Sequence, residues 1–179
     1  MTRFMILAAI VFLISCNEKS TTYYPIQSSI LEDLHTLDSL PLVITHTQTR
    51  SNQTDTSLAQ VDELRKLILE LLDLDWNSNN NQKKYDEYIL NDPSSNNTSF
   101  TYTAKYGIDN PIQKIQINFK PEAYTPKSLY AERLDLSGDV RILRKILWTK
   151  ETSLSVTSSY YQNGVLRETV VDQFNWGFH

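Results

Sequence analysis

Apolar positions follow three successive patterns along the chain. Phe4 to Ile14 is an unbroken apolar run behind a single positive charge, Arg3. It is shorter than the roughly 20 residues a bilayer span needs and has the size of a signal-peptide core. Helical spacing comes next. Ile30, Leu31, Leu34 and Leu37 within Ser28–Leu40 predict a helix that Pro41 stops. The β-branched stretch Leu42–Thr49 predicts a strand, and Arg50–Thr56 a polar loop. Ser57-Leu58-Ala59-Gln60 has the form of a capping box opening a second helix. Its stripe is Val61, Leu64, Ile68 and Leu71, thickened by Leu58, Leu67 and Leu72. Asp62 and Glu63 suit the positive end of that helix, whereas Asp73 and Asp75 do not suit its other end, which places the stop near Leu72.

The third pattern has a period of two. After a polar break at Asn77–Asn81, Gln82–Leu90 reads as a short helix or an extended arm, and Asp92–Asn97 as loop. Phe100, Tyr102, Ala104 and Tyr106 then alternate with Thr101, Thr103 and Lys105; Ile115, Ile117 and Phe119 alternate with polar neighbours. Such segments are strands with one wet face. Segments 128–137 and 140–149 flank Ser137-Gly138-Asp139, and segments 153–162 and 165–175 flank Asn163-Gly164, a strong hairpin signal. The expected fold is α+β: two N-terminal helices packed on a mainly antiparallel meander of about six strands.

The early apolar run ends in Leu13-Ile14-Ser15-Cys16, which resembles a bacterial lipobox. The resemblance implies cleavage after Ser15, acylation of Cys16 by palmitate-type chains, and membrane attachment of the mature protein. A free odd cysteine would otherwise be a liability in an oxidising compartment. The expected organisation is a signal peptide over 1–15, a lipid-attached tether over 16–26 and one domain over 27–179. The order lipobox, helix, lone strand, amphipathic helix and β meander resembles a loose group of Bacteroidota lipoproteins with no assigned activity. In that phylum surface export goes with acidic residues after the cysteine. Asn17-Glu18-Lys19-Ser20 balances one acid with one base, which implies the periplasmic side, and Asn17 in place of aspartate implies the outer membrane.

Composition narrows the partners. The formal charge is −4, and losing Arg3 with the signal takes it to about −5. No segment is strongly basic, so a nucleic-acid footprint is absent. Cys16 is the single cysteine, which leaves none for a disulfide or a thiolate metal site once it is acylated. The four glycines are too scattered to cradle a phosphate.

Candidate chemistry is sparse. Asp73-Leu74-Asp75-Trp76-Asn77 opens like a calcium loop, but Ser78 stands where glycine is needed and Lys84 where the bidentate glutamate belongs. His35, His46 and His179 fall in no metal-binding spacing, and no nucleophile elbow occurs. No metal, cofactor or catalytic residue is therefore assigned. Arg133, Arg141, Arg144, Lys145 and Lys150 suggest either an anion or headgroup patch or, preferably, a charged wet face. Tyr160, Tyr161, Phe174, Trp176 and Phe178 suggest a sugar or lipid groove or, preferably, cross-strand packing. The expected function is a non-enzymatic, lipid-anchored binding or structural module for an envelope protein, lipid or apolar ligand. Its crevice lies between helix and sheet and is lined by Tyr102, Phe119, Trp148 and Phe174. The alternative is an extracytoplasmic hydrolase whose site is assembled in space.

Overall fold

A computed structural model describes residues 23–40, 42–72, 78–94, 96–107, 109–119 and 125–177. Helix α1 is Ile26–Asp38. The hairpin β1 (Ile44–Arg50) and β2 (Gln53–Ala59) follows, then helix α2 (Val61–Leu71) and the single turn α3 (Asn79–Gln82). Seven strands complete the chain: β3 (Tyr85–Asp92), β4 (Asn97–Ala104), β5 (Ile112–Phe119), β6 (Pro126–Ser137), β7 (Val140–Thr149), β8 (Ser153–Gln162) and β9 (Val165–Asn175). They form one nine-stranded sheet in the order β2-β1-β9-β8-β7-β6-β5-β4-β3, and every neighbouring pair is antiparallel.

The α+β class and the antiparallel sheet agree with the alternation pattern. The strand number does not: there are nine, not six. The three strands beyond the expected meander are β1, read as a lone strand and here paired beside β9; β2; and β3, the extended form of the Gln82–Leu90 alternative. Arg50–Thr56, expected as loop, is the end of β1, a two-residue turn and the first part of β2. Ser51 and Asn52 both have positive φ (47° and 66°), the geometry of a type I′ hairpin. Ser57-Leu58-Ala59 is therefore strand, with Ser57 opposite His46, and the expected capping box does not form. Helix α2 instead starts at Val61 behind Gln60, which makes no side-chain cap. The two expected N-terminal helices are thus separated by a hairpin.

One sheet face is covered by α1 and α2. Cross-strand register aligns Phe100, Ile117, Leu129, Trp148, Leu154, Phe174 and His46 in one row across it. The next row holds Tyr102, Ile115, Ala131, Ile146 and Val156. Ile26, Ile30, Leu34 and Leu37 of α1 and Leu64 and Ile68 of α2 close over these rows, each buried. Side chains at i, i+3 and i+4 share a helix face, which is why these positions meet the sheet together. Leu58 is 71% exposed on β2, so it does not thicken the α2 stripe. Tyr106, expected on the buried side of its strand, lies beyond the end of β4 and is fully exposed.

Helix α1 crosses the sheet from β4 towards the β7–β8 turn. At its start Tyr23 packs on Tyr102 with ring centroids 4.6 Å apart, and Tyr24 meets Phe119 edge-on at 4.9 Å. The Tyr23 hydroxyl donates to the carbonyl oxygen of Gln82 at 2.8 Å. Tyr23 and Ile26 belong to the core, so the fold begins before the expected tether boundary at residue 26. Among the described residues no helix is long and apolar enough to cross a membrane.

Candidate functional site

Asp33 is the least expected member of the α1 face. It lies three residues after Ile30 and four before Leu37, within the stripe that meets the sheet, and it is 5% exposed. A carboxylate so placed loses hydration and needs compensation. The β7–β8 turn supplies part of it. Glu151 holds a positive φ of 63°, and its amide N–H points at Asp33 Oδ2, 3.5 Å away. That is a long contact for a charged acceptor. Burial pushes the Asp33 carboxyl above its ordinary pKa, and the Glu151 amide and the Lys150 charge offset only part of the rise.

Beneath Asp33 lies Trp148, on the central row of β7 and 1% exposed. Its Nε1–H is buried and directed at the Asp33 side chain, whose ionised form it favours. The two groups border a cleft of about 200 Å³ between α1, the start of β6 and the β7–β8 turn. Ser29, Glu32 and Thr36 line it from the helix, and Thr125, Pro126, Lys150 and Glu151 from the sheet side. The Ser29 hydroxyl is paired with the Tyr24 hydroxyl at 2.6 Å, and the Thr36 hydroxyl donates to the Glu32 carbonyl oxygen at 3.0 Å. Lys150 Nζ stands 3.9 Å from Glu151 Oε1.

The ring residues expected to line an apolar crevice divide. Trp148 lines this cleft, whereas Tyr102, Phe119 and Phe174 pack in the core: Tyr102 against Tyr23, Phe119 between Tyr24 and Phe100, and Phe174 stacked on His46 at 4.2 Å. The cleft is of mixed polarity because its walls are the wet edge of α1 and a turn on one side and Trp148 and Pro126 on the other. Cys16, His179, Phe178 and the Asp73–Asn77 opening of the calcium-like stretch lie outside the described residues.

The other sequence candidates separate as well. His46 Nε2 lies 3.0 Å from Asp172 Oδ1, to which Gln48 Nε2 also donates at 2.8 Å. His35 is exposed on α1. The basic residues form no single patch. Arg133 and Arg144 flank Asp135 on the helix-covered face, and Arg133 Nη1 donates to the Glu70 carbonyl oxygen at the end of α2. Arg141 and Lys145 alternate onto the opposite face, and Lys150 borders the cleft. Tyr160 and Tyr161 likewise point to opposite faces, and Trp176 is buried. No group of three or more histidine, cysteine or acidic side chains suited to a metal occurs among the described residues.

Fold and site together define an α+β protein with two helices on one face of an open antiparallel sheet and a cleft of mixed polarity beside the first helix. No protein-family model, curated protein or solved structure matches the chain.

Proposed function

We propose that the chain is a membrane-anchored envelope protein, attached through lipidated Cys16 on the periplasmic side, that binds a small partner molecule in the Asp33–Trp148 cleft without turning it over. The observation that carries the binding half is the cleft itself, about 200 Å³ between α1 and the β7–β8 turn and bordered by the buried Asp33 carboxyl. A concave site with a few convergent polar groups suits a small molecule. The anchoring half rests on Leu13-Ile14-Ser15-Cys16.

The hydrolase alternative draws on Asp33, since a buried carboxyl with a raised pKa suits a general acid. The neighbouring hydroxyls weigh against it. Ser29 and Thr36 are engaged with Tyr24 and the α1 backbone rather than with a base.

Native mass spectrometry of the full chain purified from membranes in mild detergent tests the binding half. The expected result is a small-molecule adduct that disappears in Thr36→Trp, which fills the cleft from an exposed helix position. Absence of any adduct, with ester or glycoside hydrolysis that depends on Asp33, would replace this reading with the hydrolase.

A further inference from the structure

We propose that the outer edge of β3 is a self-association surface. Two copies of this chain pair β3 to β3, antiparallel, about a two-fold axis at Tyr88, and so join their sheets. The proposal depends neither on the cleft nor on the anchor.

Two strands end the sheet, β2 and β3, and an edge strand presents a row of unpaired N–H and C=O groups. The two edges differ in character. On β2 one exposed apolar residue, Leu58, follows Gln53, Thr54, Asp55, Thr56 and Ser57. On β3 three follow one another: Tyr88 is 63% exposed, Ile89 49% and Leu90 48%. Consecutive strand residues point to opposite faces, so a partner on one face of the sheet would cover only some of them. A strand laid along the edge contacts all three.

The ladder with β4 determines which groups of β3 face outward. The Lys105 N–H donates to the Lys84 carbonyl oxygen at 2.9 Å, and these two residues continue the β3–β4 register. Hydrogen-bonded and non-hydrogen-bonded pairs alternate along an antiparallel ladder. Tyr88 and Leu90 therefore bond inward to β4, whereas Glu87, Ile89 and Asn91 direct their N–H and C=O groups outward. The Tyr85 carbonyl oxygen has the same parity, and it accepts from the Tyr23 hydroxyl at 3.2 Å.

Charge selects the register and, with it, a second copy as the occupant. In a two-fold antiparallel pair one residue meets its own counterpart. Centring on Glu87 sets that carboxylate against itself, and centring on Ile89 sets Asp86 against Asp92. Centring on Leu90 sets Glu87 against Pro93, which has no N–H to give. Centring on Tyr88 sets Glu87 against Ile89, Asp86 against Leu90 and Lys84 against Asp92. An ammonium then stands opposite a carboxylate on both sides of the axis, and no like charges face each other directly. Asp86 keeps Lys105 of its own chain, 3.8 Å away. Glu87 and Ile89 exchange about four hydrogen bonds across the axis, and the Tyr88 rings meet on the face away from the helices. The two-fold closes the pair, so this edge is used up in the dimer.

The test introduces cysteine along β3 in the full chain, in a Cys16→Ala background so that the new thiol is the single one. The proteins are purified in mild detergent and oxidised. A non-hydrogen-bonded pair holds its Cα atoms about 4.5 Å apart, within reach of a disulfide. Tyr88→Cys is therefore expected to give a disulfide-linked dimer. Leu90→Cys, displaced from its own counterpart by about 13 Å along the strands, is expected to stay unlinked. Sedimentation of the parent in detergent is expected to show a dimer. Tyr88→Lys, at an exposed position that the fold does not need, sets two ammoniums face to face and is expected to weaken that dimer about tenfold or more. A monomeric parent, a polymer of more than two chains, or a dimer indifferent to Tyr88→Lys each overturns the proposal. So does the absence of linkage through Tyr88→Cys, or equal linkage through Leu90→Cys.

Discussion

At the scale of single residues, Asp33 sets the character of the molecule. Its carboxyl is protonated more readily in the fold than in the unfolded chain, because burial raises its pKa. Between the ordinary carboxylate pKa and the raised one, the native state binds more protons than the unfolded state. Stability contributed at this site therefore falls as pH rises through that window. Asp33→Asn removes the titration, so its stability relative to the parent is expected to improve from pH 3 to pH 7. Chemical denaturation of both proteins across that range checks this; a gap that stays constant would mean that Asp33 is not desolvated. The residue was legible in outline: its position three after Ile30 and four before Leu37 places it on the apolar stripe. The spacing of Asp33 was visible, but nothing in the sequence joined it to Trp148, which lies 115 positions away by numbering and meets it only through the fold. Tyr130 is a second titrating group. Burial, then its 2.6 Å hydrogen bond to Glu132, pushes its pKa up to about 12, so its ultraviolet titration is expected well above the ordinary tyrosine range.

At the scale of elements, α2 and the hairpin turns show what pattern alone conveys. Leu64 and Ile68 are buried against the sheet, as their spacing predicts, and Leu64→Ala or Ile68→Ala is expected to cost about 2–5 kcal/mol by chemical denaturation. Leu69, 37% exposed on the same helix, is the control and is expected to cost less than about 1 kcal/mol when changed to alanine. Equal costs would mean that the helix packs by another face. Asn163 and Gly164 have φ of 52° and 76°, and a Cβ at Gly164 would meet nothing within 4 Å. Gly164→Val is therefore expected to destabilise by about 1–2 kcal/mol through backbone conformation alone. The start of α2 was misread because Ser57 and Gln60 have capping-box spacing. Strand pairing wins instead: Thr54, Thr56 and Ser57 line up against β1, and the Ser51-Asn52 turn fixes the register. Polar edge strands such as β2 carry no alternating apolar signature, and one of their faces need not be buried.

At the scale of the whole molecule, the sheet order was the least legible feature. Local hairpins account for most of the strand order, but β1 pairs with β9 across more than 120 residues, Thr45 facing Asn175. His46 in that pairing joins Asp172 and stacks on Phe174, so distant segments are fixed together by contacts that no local pattern encodes. Helix α1, entering at β4 and running towards β7, then brings Asp33 over the β7–β8 turn. Attachment at Cys16 would tether this assembly through the short segment that precedes Tyr23. Cys16→Ala in cells is expected to move the protein from the membrane to the soluble fraction or leave an unprocessed precursor; unchanged fractionation with no palmitate label in the parent would exclude the anchor.

The central claim is that the Asp33–Trp148 cleft binds a small molecule beside a desolvated carboxyl. Carbon-13 titration of the Asp33 carboxyl, in protein purified from membranes with its native adduct and again after the adduct is removed, tests it most directly. The account predicts a pKa above the ordinary aspartate value in the free protein and a different one with the adduct bound. An ordinary pKa that is the same in both preparations would contradict it.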